Sequence, residues 1–340
     1  MFSKKLIKAL SFATLFLIIS GCASSGSSGS EDGEKLTMSI AYSGEIYESV
    51  LNDFAEKTEE LSDGDIEIDT IAPGTMGSEK ELAESIQDGS IDIASLSDNI
   101  IETTTNEMRW AFLPYIVTDY DEVDEHYLDG WVREEIYNVM ENNEMVPLAS
   151  YDNGFRNFGS SEKSVKSMDD FKGIKVRVPD QKDLLRLFEL TGAIAVGMDG
   201  TEVASSLEQG TIDAADNTIY NFDANGYLDN INFITELNYQ YAGNNIAISP
   251  SVWENLSEEE QEILQEAAEY AGQNYTDTKR EGEQELIEEY DGNEVEFIEP
   301  DQDFQDEMKE IASEVWDESE EEISDEIMEK LREDFGDNLK

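Results

Sequence analysis

Apolar side chains near the start of the folded part of the chain follow two different spacings. Residues 36–42 place them at every second position, which predicts a β-strand, and residues 46–61 place them three and four apart, which predicts a helix. A strand at 66–71, a helix at 79–88 and a strand at 91–96 are predicted next. This alternation predicts an α/β protein with a parallel sheet and helices on its faces.

The same alternation returns in the second half of the chain. Strands are predicted at 145–151, 173–178, 193–198 and 211–215, with helices at 184–191 and 202–209 between them. The turn-forming residues Asp152, Asn153 and Gly154 are expected to close the first of these strands. The pattern therefore predicts two α/β units of about 100 residues each.

The last third of the chain predicts a crossing segment and long helices. Residues 232–249 are apolar and strand-like, and we expect them to cross between the two units. Ser257 followed by Glu260 is a capping-box signature, which predicts the start of a long acidic helix. Apolar residues at helical spacing between 304 and 331 predict a final amphipathic helix or pair of helices.

The first residues of the chain are typical of an export signal. Three lysines by position 8 precede an almost wholly apolar stretch over 9–19, and Ser20-Gly21-Cys22 follows. This order predicts a signal peptide over 1–21, too short in its apolar part for a comfortable transmembrane helix. The position of Cys22 resembles the lipobox of bacterial lipoproteins, which implies a lipid on Cys22 and a Gly/Ser-rich tether over 22–35. The alternative is an uncleaved anchor helix. The lipobox resemblance implies an extracytoplasmic body held at a membrane.

Composition excludes several classes of function. The chain has 340 residues with 22 Lys and Arg against 80 Asp and Glu, a net charge of −58, so we expect no nucleic-acid partner. Such an acidic surface suits concentrated salt. One cysteine and one histidine exclude an intrachain disulfide, a CxxC metal site and His-rich metal sites. No metal and no cofactor are predicted.

The sequence contains none of the common catalytic motifs. It lacks GxxxxGK[ST], GxGxxG, GxSxG and HExxH, and with 80 acidic residues the proximity of two carboxylates carries no information. We therefore predict no enzymatic activity. An extracellular hydrolase of carbohydrates or esters, and an adhesive or structural surface lipoprotein, are the alternatives to a binding protein.

The scarce basic residues are the more informative ones. Arg156 follows the Asn153–Phe155 segment, and Arg177 lies on the face of a predicted strand opposite Ile174, Val176 and Val178. An arginine at the carboxyl end of a strand can bind a carboxylate through two hydrogen bonds, while a solvent-facing arginine paired with surplus acids is the alternative. Weaker candidates for a ligand cleft stand where predicted strands end, and core packing or loop capping explains them equally well: Tyr42, Ser97, Asp98 and Asn99.

Two long segments resemble the solute-binding component of TRAP transporters. They are GFRNFGSSEKSVKSMDDFKGIKVRVP at 154–179 and LTGAIAVGMDGTEVASSLEQGTIDAADNT at 190–218. The matching elements include Gly-x-Arg, Lys-x-Arg-Val-Pro and an acid-Asn-Thr triplet that begins at Asp216. The resemblance covers residues 36–335 in order, together with the export signal.

This resemblance implies a fold, a set of site residues and a function. The implied fold is a two-lobed α/β protein of the periplasmic-binding-protein (Venus-flytrap) type, with crossover strands and a long hinge-spanning helix. Lobe I would comprise 36–153 and about 243–282, and lobe II 154–242 and about 283–335. Arg177 would form the principal salt bridge to a substrate carboxylate, with Arg156, Asn217 and Asn221 beside it.

The implied function is capture of a small organic anion or a carboxylate-bearing zwitterion between the lobes. The protein would then deliver a C4-dicarboxylate-like or related acid to TRAP membrane subunits. Ala204 stands where an aromatic residue often follows the Glu-Val pair in the family, and Gly44-Glu45 replaces a longer turn. Both departures leave the identity of the substrate open.

Overall fold

The computed structural model describes residues 34–42, 44–293 and 295–339. The predicted export segment 1–21, the lipidation residue Cys22 and most of the tether lie outside the described residues. The predicted tether includes Glu34 and Lys35, and this part of the prediction is wrong. Both residues belong to the sheet, where they pair with Ile66 and Glu67.

Strands and helices alternate along the described chain. The strands are β1 Glu34–Ile40, β2 Ile66–Thr70, β3 Ile93–Ser97, β4 Val146–Ser160, β5 Lys175–Val178, β6 Ile194–Gly197, β7 Ala214–Thr218, β8 Phe233–Ile248 and β9 Glu296–Ile298. The helices are α1 Glu45–Leu61, α2 Glu79–Asp88, α3 Asp98–Thr105, α4 Tyr120–Glu122, α5 Trp131–Asn142, α6 Lys182–Leu190, α7 Val203–Glu208, α8 Ile219–Ala224, α9 Pro250–Trp253, α10 Glu258–Tyr290, α11 Gln302–Ser319 and α12 Asp325–Phe335.

The strands form one sheet in the order β2-β1-β3-β8-β4-β7-β5-β6, with β9 paired to β8. Strands β1, β2 and β3 are parallel, and so are β5, β6 and β7. The long strands β4 and β8 run antiparallel to each other between these groups. The predicted two-lobed α/β fold with crossover strands is confirmed.

We call β1–β3 with α1–α3 the first lobe, and β5–β7 with α6–α8 the second lobe. The first lobe buries the apolar faces of β1 and α1, including Met38, Val50 and Phe54. In the second lobe, α7, α8 and β7 enclose a smaller cluster around Val203 and Phe222. The residue boundaries predicted for the lobes from the sequence stay a prediction.

The expected turn at Asp152–Gly154 is wrong, because β4 continues through it to Ser160. Asp152 pairs with Gly243 and Gly154 with Ala242, so the strand contains a β-bulge. Gly154 has a φ of 101°, which a glycine adopts without strain, and the bulge therefore bends the strand without ending it. Arg156 thus lies inside β4, paired with Gln240 on one side and Thr218 on the other.

Helix α10 packs on both lobes, as a hinge-spanning helix should. Its Ser257–Glu260 capping box is present as predicted. Small residues such as Ala268, Ala271 and Gly272 form its buried face and bring it close to β4, where a Cβ on Gly272 would lie 3.2 Å from Cβ of Tyr151. The helix contacts α1 in the first lobe and α8 in the second. Within the described part of the chain, no helix has the length and apolar character needed to cross a membrane.

Candidate functional site

A cavity of about 440 Å³ lies where the two lobes face each other across the β4–β8 pair. The first lobe and the segment after β1 contribute Tyr42, Tyr47, Glu79, Ser97 and Asn99. The second lobe contributes Arg177, Met198, Asn217 and Asn221. The crossing strands add Asn153, Arg156 and Asn244.

Arg156 is held by a buried acid on the neighbouring strand. The register of β4 against β7 places Arg156 beside Asp216, and both side chains are almost fully buried. Nε of Arg156 donates to Oδ2 of Asp216 at 2.6 Å, and Nη2 donates to the Asp216 carbonyl at 3.1 Å. The hydroxyl of Tyr239 also donates to Oδ2 of Asp216. Burial alone lowers the pKa of Arg156, but the Asp216 carboxylate outweighs it and holds that pKa above its usual range.

Arg177 lies on β5 with its guanidinium in the cavity. Val176 and Val178 pack into the core, and strand alternation turns Arg177 to the other face. Its Nε and Nη2 donate to the Met198 carbonyl at 2.9 and 2.7 Å. Its Nη1 lies 4.0 Å from Oδ1 of Asp216, which accepts no hydrogen bond among the described residues. The Arg177 guanidinium is therefore positioned by its backbone contact and retains donors that face the cavity.

Three asparagines connect the walls of the cavity. Oδ1 of Asn217 accepts from the Thr218 amide at 2.9 Å and from Nδ2 of Asn221 at 3.2 Å. Nδ2 of Asn221 also donates to Oδ1 of Asn153 at 2.8 Å. The hydroxyl of Tyr47, on α1 of the first lobe, donates to Oδ1 of Asn221. Asn221 thus uses its amide to join the lobes, whereas Nδ2 of Asn217 has no acceptor among the described residues.

The weaker candidates from the sequence divide into two groups. Tyr42, Ser97 and Asn99 line the cavity. Asp98 does not, because its carboxylate accepts from the Gly243 amide at 2.9 Å and from Asn245 at 2.6 Å. Burial raises the pKa of Asp98 to about 6. Asp98 therefore connects the start of α3 to the crossing strand β8.

Sequence reasoning did not select Glu79 as a site residue. Glu79 begins α2, and its Oε1 accepts from the Ser97 amide at 2.5 Å, while the Tyr42 hydroxyl lies 3.5 Å from Oε2. Burial raises the pKa of Glu79 to about 7, and the nearby Asp199 adds to the increase. One acid among 80 carries no signal in the sequence that separates it from the others. Within the described residues, no group of three or more histidine, cysteine or acidic side chains could hold a metal.

A ligand-sized cavity between two α/β lobes, with buried arginine and amide donors, is the architecture of an extracytoplasmic solute-binding protein. Residues 38–322 match the model for the bacterial extracellular solute-binding protein, family 7, and the chain belongs to this family of TRAP solute-binding proteins.

Two curated relatives illustrate the family. The chain is 27% identical over 216 residues to the C4-dicarboxylate-binding protein DctB of Bacillus subtilis. The aligned residues cover 64% of this chain and 61% of DctB. It is 25% identical over 236 residues to the sialic acid-binding periplasmic protein SiaP of Vibrio cholerae. The aligned residues cover 68% of this chain and 72% of SiaP.

Solved structures share the fold over nearly the whole chain. The sugar acid binding protein DctPAm of Advenella mimigardefordensis, in complex with galactonate, superposes with a TM-score of 0.84 at 22% identity, covering 90% of this chain and 99% of that one. A TRAP periplasmic solute-binding protein of Sulfurospirillum deleyianum with bound succinate superposes with a TM-score of 0.81 at 21% identity. The match covers 88% of this chain and 98% of that one.

Proposed function

We propose that the protein captures a small organic carboxylate in the cavity between its lobes, for uptake by a TRAP transporter. The observation that carries the proposal is the charge of the buried wall that β4, β5 and β7 form. Arg156 and Arg177 supply two positive charges and Asp216 one negative charge, which leaves one positive charge. One carboxylate neutralises it, and Arg177 and Nδ2 of Asn217 are placed to donate hydrogen bonds to that carboxylate.

The named relatives support this class of ligand. C4-dicarboxylate, sialic acid, galactonate and succinate are the ligands of these similar proteins, and all of them carry a carboxylate. These ligands include both monocarboxylates and dicarboxylates, so the proposed ligand class for this chain is a small organic acid with at least one carboxylate, either C4-dicarboxylate-like or related. The protein would bind it without turnover, release it to TRAP membrane subunits and remain at the membrane through a lipid on Cys22.

A thermal-unfolding screen at high salt tests the proposal. Organic acids are compared with their uncharged amides, such as succinate with succinamide. A true ligand at 100 times its Kd stabilises the fold by about 2.7 kcal/mol, and its amide does not. A set of organic acids that leaves the transition unchanged, or amides that shift it equally, would contradict the proposal.

The alternatives from the sequence have separate tests. If the protein were a hydrolase, chromatography of the ligand after incubation would show conversion, whereas capture predicts quantitative recovery of the unaltered ligand. Replacement of Cys22 by alanine in the full-length precursor should release the protein from membranes. A wild-type protein whose Cys22 carries no lipid by mass spectrometry would contradict the lipid anchor.

A further inference from the structure

The two walls of the cavity differ in hydrogen-bonding character. The wall formed by β4, β5 and β7 presents donors, namely the guanidinium groups of Arg156 and Arg177 and Nδ2 of Asn217. The first-lobe wall contains two acceptors that bear on a ligand, the Glu79 carboxylate and Oδ1 of Asn99. There, Oδ1 of Asn99 is buried and has no hydrogen-bond donor among the described residues. A buried acceptor without a donor is costly, so a ligand that supplies one gains free energy on binding.

Glu79 gives this first-lobe wall its charge. Among the described residues, no lysine or arginine forms an ion pair with Glu79, and the protein donors beside its carboxylate are the neutral groups of Ser97 and Tyr42. The raised pKa of Glu79 fits a carboxylate whose burial is not offset by a cation. Lys80, the next residue, also lines the cavity, but it is exposed to solvent.

Other anions along the cavity have the same sign as Glu79. Asp180, Asp199 and Glu202 line it from the second lobe and are exposed. A ligand whose first carboxylate occupies Arg177 would therefore bring a second carboxylate towards acidic groups. Hydroxyl or ammonium groups at that end would instead donate to Glu79 and Asn99.

We propose that the ligand is a monocarboxylate whose far end carries hydrogen-bond donors, and that Glu79 and Asn99 select it against dicarboxylates. This inference rests on the proposed function, because it takes the first carboxylate to bind at Arg177. The difference in affinity should be large, because a dicarboxylate leaves these acceptors unpaired and adds repulsion between like charges.

Calorimetric titration with matched ligand pairs at pH 8 and high salt tests the inference. The pairs are gluconate with glucarate, and 4-hydroxybutyrate and 4-aminobutyrate with succinate, so that only the far end changes. We expect the donor-bearing member of at least one pair to bind at least tenfold more tightly than its dicarboxylate. The two butyrate derivatives distinguish hydroxyl from ammonium recognition.

Two variants test whether the first-lobe wall causes the preference for the donor-bearing ligand. Glu79→Gln removes the charge and should reduce the preference at least fivefold, mainly by strengthening the binding of the dicarboxylate. Glu84→Gln, an exposed acid on the same helix, should leave it unchanged. A dicarboxylate that binds as tightly as its partner, or an unchanged preference in Glu79→Gln, overturns this inference but not the proposed function. Absence of binding by every member of every pair overturns both.

Discussion

The buried charges of the cavity are unequally paired. Asp216 accepts from Arg156 and from Tyr239, and it lies within 4.0 Å of Arg177. Asp216 therefore neutralises one guanidinium and orients it, and the proposed function assigns the charge of the second guanidinium to a ligand carboxylate. Under the proposed function this division would favour ligands with a carboxylate, because a buried charge without a partner is strongly unfavourable.

Asp216→Asn should destabilise the protein by about 3–5 kcal/mol, because it leaves Arg156 buried without its counterion. Chemical denaturation measures the loss. Asp180→Asn serves as the control, since that carboxylate lines the same cavity but is exposed, and its effect should stay within about 0.5 kcal/mol. Equal stability of Asp216→Asn and the wild type would show that the Arg156–Asp216 pair does not stabilise the fold.

The sequence was informative about the cations of the site and uninformative about its anions. Arg156 and Arg177 are two of only 22 basic residues and belong to recognisable motifs, so their selection needed no structure. Glu79 reaches the cavity only because α2 begins beside the end of β3, a tertiary relation that local spacing does not encode. Asp98 illustrates the opposite error, since a polar residue at a strand end can face the neighbouring strand.

At the scale of elements, α10 packs closely against the bulge in β4. Lys279 of α10 is fully buried against Gly154, where an added Cβ would lie 2.2 Å from its Nζ. Nζ of Lys279 has no hydrogen-bond partner among the described residues. Burial lowers the pKa of Lys279, although the fields of Glu283 and Asp152 oppose the decrease.

Lys279→Met should raise the free energy of unfolding by about 1–3 kcal/mol at neutral pH, because it removes a buried amine without a partner. The folded-state pKa of Lys279 lies below the unfolded value of 10.5, so the gain should shrink as the pH rises towards 10.5. Denaturation at several pH values measures both effects. Lys172→Met, at an exposed lysine, is the control. A loss of stability in Lys279→Met would show that the amine is favourably placed.

The elements themselves were predicted well where one periodicity ran without interruption. Helix α2 has the predicted bounds, and α1 begins one residue earlier than predicted. The long strand β4 was predicted as a short one, because Asp152-Asn153-Gly154 has turn composition. Pairing with β8 on one side and β7 on the other overrides that local preference and converts the turn into a bulge.

At the scale of the whole molecule, capture requires the lobes to close on the ligand. Tyr47 of the first lobe and Asn221 of the second both line the cavity and are hydrogen-bonded, so this contact joins the lobes directly. A contact made only in the closed form shifts the equilibrium towards it, and apparent affinity rises with the closed population.

Tyr47→Phe should weaken ligand binding about two- to tenfold, because it removes one hydrogen bond of about 0.5–1.5 kcal/mol from the closed form. Calorimetry measures the affinity, and small-angle scattering of the ligand-free protein should show a larger radius of gyration. Tyr270→Phe is the matched control, since Tyr270 is 45% exposed on α10. Unchanged affinity and radius would exclude a role of Tyr47 in closure.

The net charge of −58 makes both stability and anion capture dependent on salt. The Debye length falls from about 10 Å at 0.1 M to about 3 Å at 1 M, so salt screens repulsion within the surface and between the surface and an anionic ligand. We expect the unfolding free energy and the association rate constant to rise together over this range. Stopped-flow association and chemical denaturation measure them. A faster association in dilute buffer would contradict this expectation.

Calorimetric titration of Arg177→Ala with a ligand found by the thermal screen tests the central claim most directly. Loss of the buried guanidinium should weaken binding by about 100-fold or more, a cost of about 3 kcal/mol or more. Arg133→Ala, at an arginine with a side chain 36% exposed, should bind normally and control for general effects of losing an arginine. A folded Arg177→Ala protein that binds its ligand with wild-type affinity would contradict the account.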